Sequence, residues 1–240
     1  MSAPPVIWHD LECGSYAEDL PLWRELAARH GDPVLDLGAG TGRVALDLAR
    51  AGHRVTALDR DAELLAALED RGTGLPVETV LGDVREFALG RRFPLCLVPM
   101  QTIQLLADSA ERLRCLRCVR THLASGAIAA FAISEALEPF DPGPGVRLPL
   151  PDLRELDGVV YSSQPTAVRS GEGAYVLERR REIVQGDGHH SVDEDRIRLA
   201  ALSSDQLERE GERAGLSPRP RHAIAATSDY VGSTVVMFGG

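Results

Sequence analysis

The chain has 240 residues, 44% of them hydrophobic, which suits one large α/β domain or a domain with a modest insertion. Its formal charge of −10, from 36 acidic and 26 basic side chains, works against binding to duplex nucleic acid or an anionic membrane. No apolar run approaches the roughly 18 residues a bilayer crossing needs, and the opening Met-Ser-Ala-Pro-Pro-Val has neither the basic nor the apolar region of a signal peptide.

The first 30 residues read as a helical lead-in. Ser15-Tyr-Ala-Glu18 has the form of a capping box, Leu20, Leu22, Trp23, Leu26 and Ala27 follow, and His30-Gly31 ends the helix; Pro21 is tolerable only near its start. A strand over 34–37, a helix over 44–51, a strand over 54–58 and a helix over 61–70 come next. The strand over 77–81 ends at Gly82-Asp83; a fourth strand covers 93–99, a helix 108–123 and a fifth strand 126–133. Strands alternating with helices imply βαβ units, a parallel sheet covered on both faces, and ligands at the carboxyl ends of the strands.

The texture changes after Ala136. Pro139, Pro142, Pro144, Pro149 and Pro151 exclude regular helix and inner strand. Three β-like runs follow, 159–169, 174–184 and 192–201, joined by Gly171-Glu-Gly173 and Gly186-Asp-Gly188, so a meander is expected. A helix over 204–214 stops at Gly215, and strands over 221–227 and 232–238 close the chain.

The four cysteines (Cys13, Cys96, Cys115, Cys118) are too few and scattered for a disulfide framework, so the expected setting is reducing and cytoplasmic. Cys115 and Cys118 form a C-x-x-C, but within a helical pattern carrying Leu113, Leu116, Val119 and Leu123 after Asp108-Ser-Ala-Glu111, which favours structural thiols.

The chemistry concentrates in Val-Leu-Asp-Leu-Gly-Ala-Gly-Thr-Gly-Arg (34–43), a strand entering a loop with Gly38, Gly40 and Gly42. Glycines here let backbone approach a ligand, and the next helix begins with unpaired N–H groups. Asp59 stands 19 residues after Gly40, at the end of the next strand, where a carboxylate can accept both ribose hydroxyls. A dinucleotide fingerprint, G-x-G-x-x-G, wants a third glycine where Arg43 stands; the order here is G-x-G-x-G.

These residues resemble the first motif of the class I S-adenosylmethionine-dependent methyltransferases, (V/I)-L-(D/E)-x-G-x-G-x-G, with Asp59 matching their second acidic position and Gly82-Asp83-Val84 their G-D-(V/A/M) turn. The resemblance covers roughly residues 30–135 and implies a doubly wound, Rossmann-like seven-stranded sheet, mostly parallel, with the last strand antiparallel. It implies S-adenosylmethionine as cofactor and S-adenosylhomocysteine as product. Cofactor contacts implied are Gly38, Ala39, Gly40, Asp59, Arg60, Gly82, Asp83 (on the adenine amino group), Val84, Asp36 (near the cofactor's amino group) and Met100, in the segment lining the methionine moiety. Tyr16 either reaches the cofactor, as aromatic residues there do in similar enzymes, or packs its helix.

Residues 139–201 resemble the β-rich hood of small-molecule N- and O-methyltransferases, giving a core of 1–138 with 202–240 and a capping insertion. Gln101, Gln104, Glu135 and Tyr161 are the substrate candidates; Gln101 and Gln104 serve equally as loop caps. After strand four the chain reads Val98-Pro-Met-Gln101, without the D/N-P-P-Y/F/W of amino-methylating nucleic-acid enzymes, and no acidic cluster suits a metal. His189 and His190 point to opposite faces of a strand and are expected exposed. Arg179-Arg-Arg181 reads as a solvated strand with alternating contacts.

The expected function is methyl transfer to an N or O atom of a small molecule by direct displacement, in a monomer or homodimer without nucleic-acid, membrane or metal partners. The alternatives are a nicotinamide oxidoreductase, a non-methylating S-adenosylmethionine enzyme (cyclase or aminopropyl transferase) and a non-catalytic cofactor-binding protein.

Overall fold

The structure, a computed structural model, describes residues 5–135, 137–143, 145–227 and 230–240. The opening residues 1–4, Ala136 and Pro144 of the reading above lie outside them. Contacts divide the chain into two compact units, Met1–Ser15 with Leu137–Ala201 and Tyr16–Ala136 with Leu202–Gly240. Among the described residues, 5–15 thus group with the insertion, whereas the sequence assigns them to the core.

In chain order the elements are α1 (Pro5–Cys13), α2 (Leu20–His30), β1 (Val34–Leu37), α3 (Arg43–Arg50), β2 (Val55–Asp59), α4 (Ala62–Arg71), β3 (Val77–Leu81), β4 (Phe93–Val98), α5 (Ser109–His122) and β5 (Leu123–Ile133). Then come β6 (Asp152–Leu156), β7 (Val159–Gly171), β8 (Ala174–Val184), β9 (His190–Ala200), α6 (Ser204–Arg213), β10 (Ser217–Ile224) and β11 (Ser233–Gly239). No helix among the described residues is long and apolar enough to cross a membrane.

The larger unit holds a seven-stranded sheet in the order β3-β2-β1-β4-β5-β11-β10. Neighbours from β3 to β5 pair in parallel, and β11 runs antiparallel to both β5 and β10. The chain winds outward from β1 to β3 and returns to β4 on β1's other side, which makes the β1/β4 junction the switch point where ligands bind. Central strands are apolar on both faces because helices cover both. Val34, Leu95 and Leu97 join a core with α2 and α3, while Leu35, Leu37, Cys96 and Val98 join one with α5.

Side chains cap the helices where the sequence offers them. Asp61 accepts from the N–H groups of Glu63 and Leu64, Asp108 from Glu111, and Ser203 from Gln206. Ser15 does not stand at the cap of α2. The cap of α2 is Asp19, which makes no side-chain cap bond because its carboxylate, 1% exposed, is gripped by Arg43 at 2.5 and 2.7 Å. Pro21 has no N–H to satisfy there, which lowers the demand for a cap. Arg112 and Glu210, both buried, join α5 to α6 by two 2.8 Å hydrogen bonds.

The smaller unit is an antiparallel sheet, β6-β7-β8-β9, with α1 on one face. The expected meander is present, extended by β6, which Asp157 and Gly158 join to β7 with φ of +52° and +75°. Arg179 and Arg181 correct the expectation of a solvated strand. Two residues apart, they share one face and close on Glu12 of α1 at 2.6 to 2.8 Å. Ser163 donates to the same carboxylate at 2.7 Å. Trp8 stacks over Arg181 and meets the Tyr161 ring edge-on at 5.8 Å.

Candidate functional site

The glycine loop lies at the carboxyl ends of β1 and β2. The N–H groups of Gly38 and Ala39 donate to Leu58 O, and φ is +73° at Gly38, +55° at Gly40 and +94° at Gly42. A Cβ at 38 would stand 2.5 Å from Thr102 Cγ2, and one at 42 would stand 2.8 Å from Leu68 Cγ. The first glycine therefore answers to the segment after β4 and the third to the packing of α3 on α4. Arg43, standing where a dinucleotide fold has its last glycine, fills its space with the fork to Asp19 and a 2.9 Å bond to Tyr16 O. Asp19 carries no sequence signal for that role.

Asp59 is fixed by main chain. Its Oδ2 accepts from Gly40 N at 2.8 Å and its Oδ1 from Asp61 N at 2.9 Å, leaving each oxygen a further lone pair. The glycine loop and this carboxylate thus meet through a hydrogen bond. Gly82 N donates to Asp59 O at 2.9 Å and brings the loop after β3 alongside. There Asp83 is held by Arg85, which donates from its backbone N at 2.8 Å, from Nε at 2.9 Å and from Nη2 at 2.5 Å. Those contacts, against some loss of solvent, lower the Asp83 pKa to about 2. Val84 packs into the core beside it and Arg60 is exposed.

Asp36 lies in β1, 1% exposed. Burial pushes its carboxyl up to about 7, against the pull of Arg43 and with the repulsion of Asp59 and Asp19. Among the described residues its Oδ1 has no partner, although the Ala45 N–H bonds the carboxyl group. Tyr16, 8% exposed, packs edge-on against Tyr230 at 5.0 Å with the Arg43 guanidinium over its ring, so packing accounts for its burial.

Past β4, Met100 and Gln101 are consecutive non-glycine residues at φ of +46° and +55°, a conformation that costs on the order of 1–3 kcal/mol each and gathers at functional loops. Gln101 Nε2 donates to Ser134 Oγ at 3.1 Å. Gln104 is fully buried; its Nε2 donates to Ser134 O at 3.1 Å and its Oε1 accepts from Ser134 N at 2.8 Å. It brackets the end of β5 instead of facing an open pocket. Glu135 accepts from Ser204 N and, at 3.0 Å, from Thr234 Oγ1, so it anchors the start of α6. Tyr161 belongs to the smaller unit and packs on Trp8.

The remaining reactive side chains are structural. Cys96 and Cys115 are buried, which raises both thiols, and Cys118 Sγ exchanges hydrogen bonds with Phe87. His122 Nδ1 donates to Cys118 O at 2.8 Å while Nε2 accepts from Leu89 N at 3.2 Å, so both ring nitrogens are engaged by main chain. His189 and His190 are exposed.

Residues 34–126 match the family described as a methyltransferase domain. The chain is 34% identical over 108 residues to the cypemycin N-terminal methyltransferase of a Streptomyces species, covering 45% of this chain and 44% of that one. It thus spans less than half of that relative's length. It is 27% identical over 184 residues to the dTDP-3-amino-3,6-dideoxy-alpha-D-glucopyranose N,N-dimethyltransferase of Streptomyces fradiae, covering 77% of this chain and 69% of that one. Among solved structures, the glycopeptide N-methyltransferase MtfA with bound S-adenosylmethionine superposes with a TM-score of 0.60 at 28% identity, covering 93% and 95% of the two chains. Residues 34–126 of this sheet are thus similar to a methyltransferase domain, and the chain as a whole is similar to methyltransferases that share the sheet.

Proposed function

We propose that this protein transfers the methyl group of S-adenosylmethionine to an amino nitrogen of a small molecule by in-line displacement. The observation that carries the reading is the Gly40–Asp59 hydrogen bond, which holds an acceptor carboxylate with spare lone pairs beside a glycine cradle at the switch point. Two features fit the cofactor. The cradle has no room for side chains at 38 and 42, and Asp36 keeps a buried oxygen without a partner among the described residues, where a donor from the methionine end can bond. In this reading Asp59 accepts the ribose hydroxyls, Asp83 accepts from the adenine 6-amino group, and the Met100–Gln101 turn borders the methionine moiety.

The cofactor supplies a sulfonium methyl already activated for displacement. The protein's part is to align a nucleophile opposite the sulfur. With Gln104, Glu135 and His122 all engaged by hydrogen bonds within the fold, no general base is assigned, and the acceptor is an amine that reaches the site unprotonated. The nitrogen preference is supported by relatives whose names specify N-methylation of a peptide N-terminus and of an amino sugar. Incubation with S-adenosylmethionine and a panel of amino sugars and free peptide N-termini, read by mass spectrometry, tests it. The expected products are S-adenosylhomocysteine and an acceptor heavier by one methyl. Methylthioadenosine in place of S-adenosylhomocysteine, or modification of hydroxyls alone, contradicts it.

A further inference from the structure

Asp83 does not face its ligand alone. Its Oδ1 accepts two hydrogen bonds, from Arg85 N at 2.8 Å and Arg85 Nε at 2.9 Å, which uses both of its lone pairs. Its Oδ2 accepts from Arg85 Nη2 at 2.5 Å and shares the Nε hydrogen at 3.1 Å, so the guanidinium grips both carboxylate oxygens. The guanidinium is anchored in turn, because its Nη1 donates to Glu111 in the first turn of α5. Glu111 is itself fixed, its Oε2 accepting from Ala107 N at 2.9 Å and its own N–H donating to Asp108 at 2.9 Å. Asp83, Arg85 and Glu111 are each about a quarter exposed (27 to 28%), so the assembly sits at the surface of the site and solvent reaches it.

We infer that Arg85 is the positioning residue for purine recognition: its grip on both oxygens orients Asp83 so that the carboxylate meets the base as an acceptor, which selects an amino-bearing purine over its 6-oxo counterpart. The inference rests on the proposed cofactor. The fork favours the ionised, accepting form of Asp83, since Arg85 holds its carboxyl down at about 2. Adenine offers an N–H at its 6-position and forms the hydrogen bond. Hypoxanthine offers a carbonyl oxygen, and two acceptors then face each other. A carboxylate freed from Arg85 turns about its side-chain bonds, takes other donors or water, and loses this discrimination.

The experiment measures, by calorimetry, the affinities of S-adenosylhomocysteine and its deaminated analogue S-inosylhomocysteine for the wild type, Arg85→Gln, Arg85→Lys and Glu111→Gln. Thermal melts of each variant check folding. The wild type is expected to prefer the adenosine compound, and Arg85→Gln to lose about 10-fold of that preference, the weight of one charge-assisted hydrogen bond. Arg85→Lys, which keeps the charge and loses the planar fork, should fall in the same direction. Glu111→Gln leaves the fork on Asp83 and should give an intermediate ratio, so it carries the test if the Arg85 variants melt early. An unchanged preference in the folded variants overturns the inference and leaves the cofactor assignment standing. Tighter S-adenosylhomocysteine binding by Arg85→Gln also overturns it, for Arg85 would then obstruct the base. A wild type that binds neither compound overturns the cofactor assignment itself.

Discussion

Gly38→Ala tests whether the glycine loop is shaped by the segment after β4. At φ of +73° an alanine enters the left-handed region, at a cost of about 1–2 kcal/mol. Its Cβ also meets Thr102 Cγ2 at 2.5 Å and Oγ1 at 2.8 Å. Overpacking of this kind adds about 1–3 kcal/mol, for a total of roughly 2–5. Thr102→Ala removes both clashing atoms and leaves its own Cβ 3.3 Å away, but it deletes the 2.7 Å bond from Oγ1 to Pro99 O, worth about 1 kcal/mol. The double variant should therefore be more stable than the sum of the single effects predicts, by about 1–3 kcal/mol. The chain has two tryptophans, Trp8 in the smaller unit and the fully buried Trp23 in the larger. Urea denaturation followed by Trp23 fluorescence in a Trp8→Phe background reads the larger unit by itself. Additivity within about 0.5 kcal/mol refutes the reasoning.

Glu12→Ala withdraws the buried carboxylate from Arg179 and Arg181, and breaking such a pair costs about 3–5 kcal/mol. Trp8 fluorescence in a Trp23→Phe background should show a lower urea midpoint, and an unchanged one would contradict the packing of α1. Asp36, pushed up to about 7 by burial, binds its proton more tightly folded than unfolded. Its contribution to stability is therefore full below about pH 4 and lost as pH rises through 7. Asp36→Asn should flatten that decline by up to a few kcal/mol between about pH 5 and 8, in urea titrations read at Trp23; parallel profiles for variant and wild type count against it.

The core was legible because its central strands are apolar runs bounded by glycines and by capping residues such as Asp61 and Asp108, and because βαβ spacing places Asp59 next to Gly40. β6 was missed because all five of its residues are exposed, which removes the alternation that marks a half-buried strand. The signal that would have found it is Asp157-Gly158, a hairpin dipeptide. The Glu12 cluster and the Asp19–Arg43 fork join residues far apart in sequence, and neither charge pattern points to its partner. The partners of Gln104 and Glu135, Ser134 for one and Ser204 and Thr234 for the other, are equally silent in the sequence and emerge only on folding. Nothing at Met100 and Gln101 announces their positive φ, since neither is glycine.

The account stands most directly on Asp59. Calorimetric titration of S-adenosylhomocysteine into the wild type and Asp59→Ala, with matched melting curves, measures its contribution. Loss of the carboxylate's hydrogen bonds to ribose should weaken binding by about 1.5–3 kcal/mol, roughly 10- to 150-fold, and NADH should not bind either protein. Asp59→Ala binding as tightly as the wild type, or a wild type that binds NADH and not S-adenosylhomocysteine, would contradict the central claim.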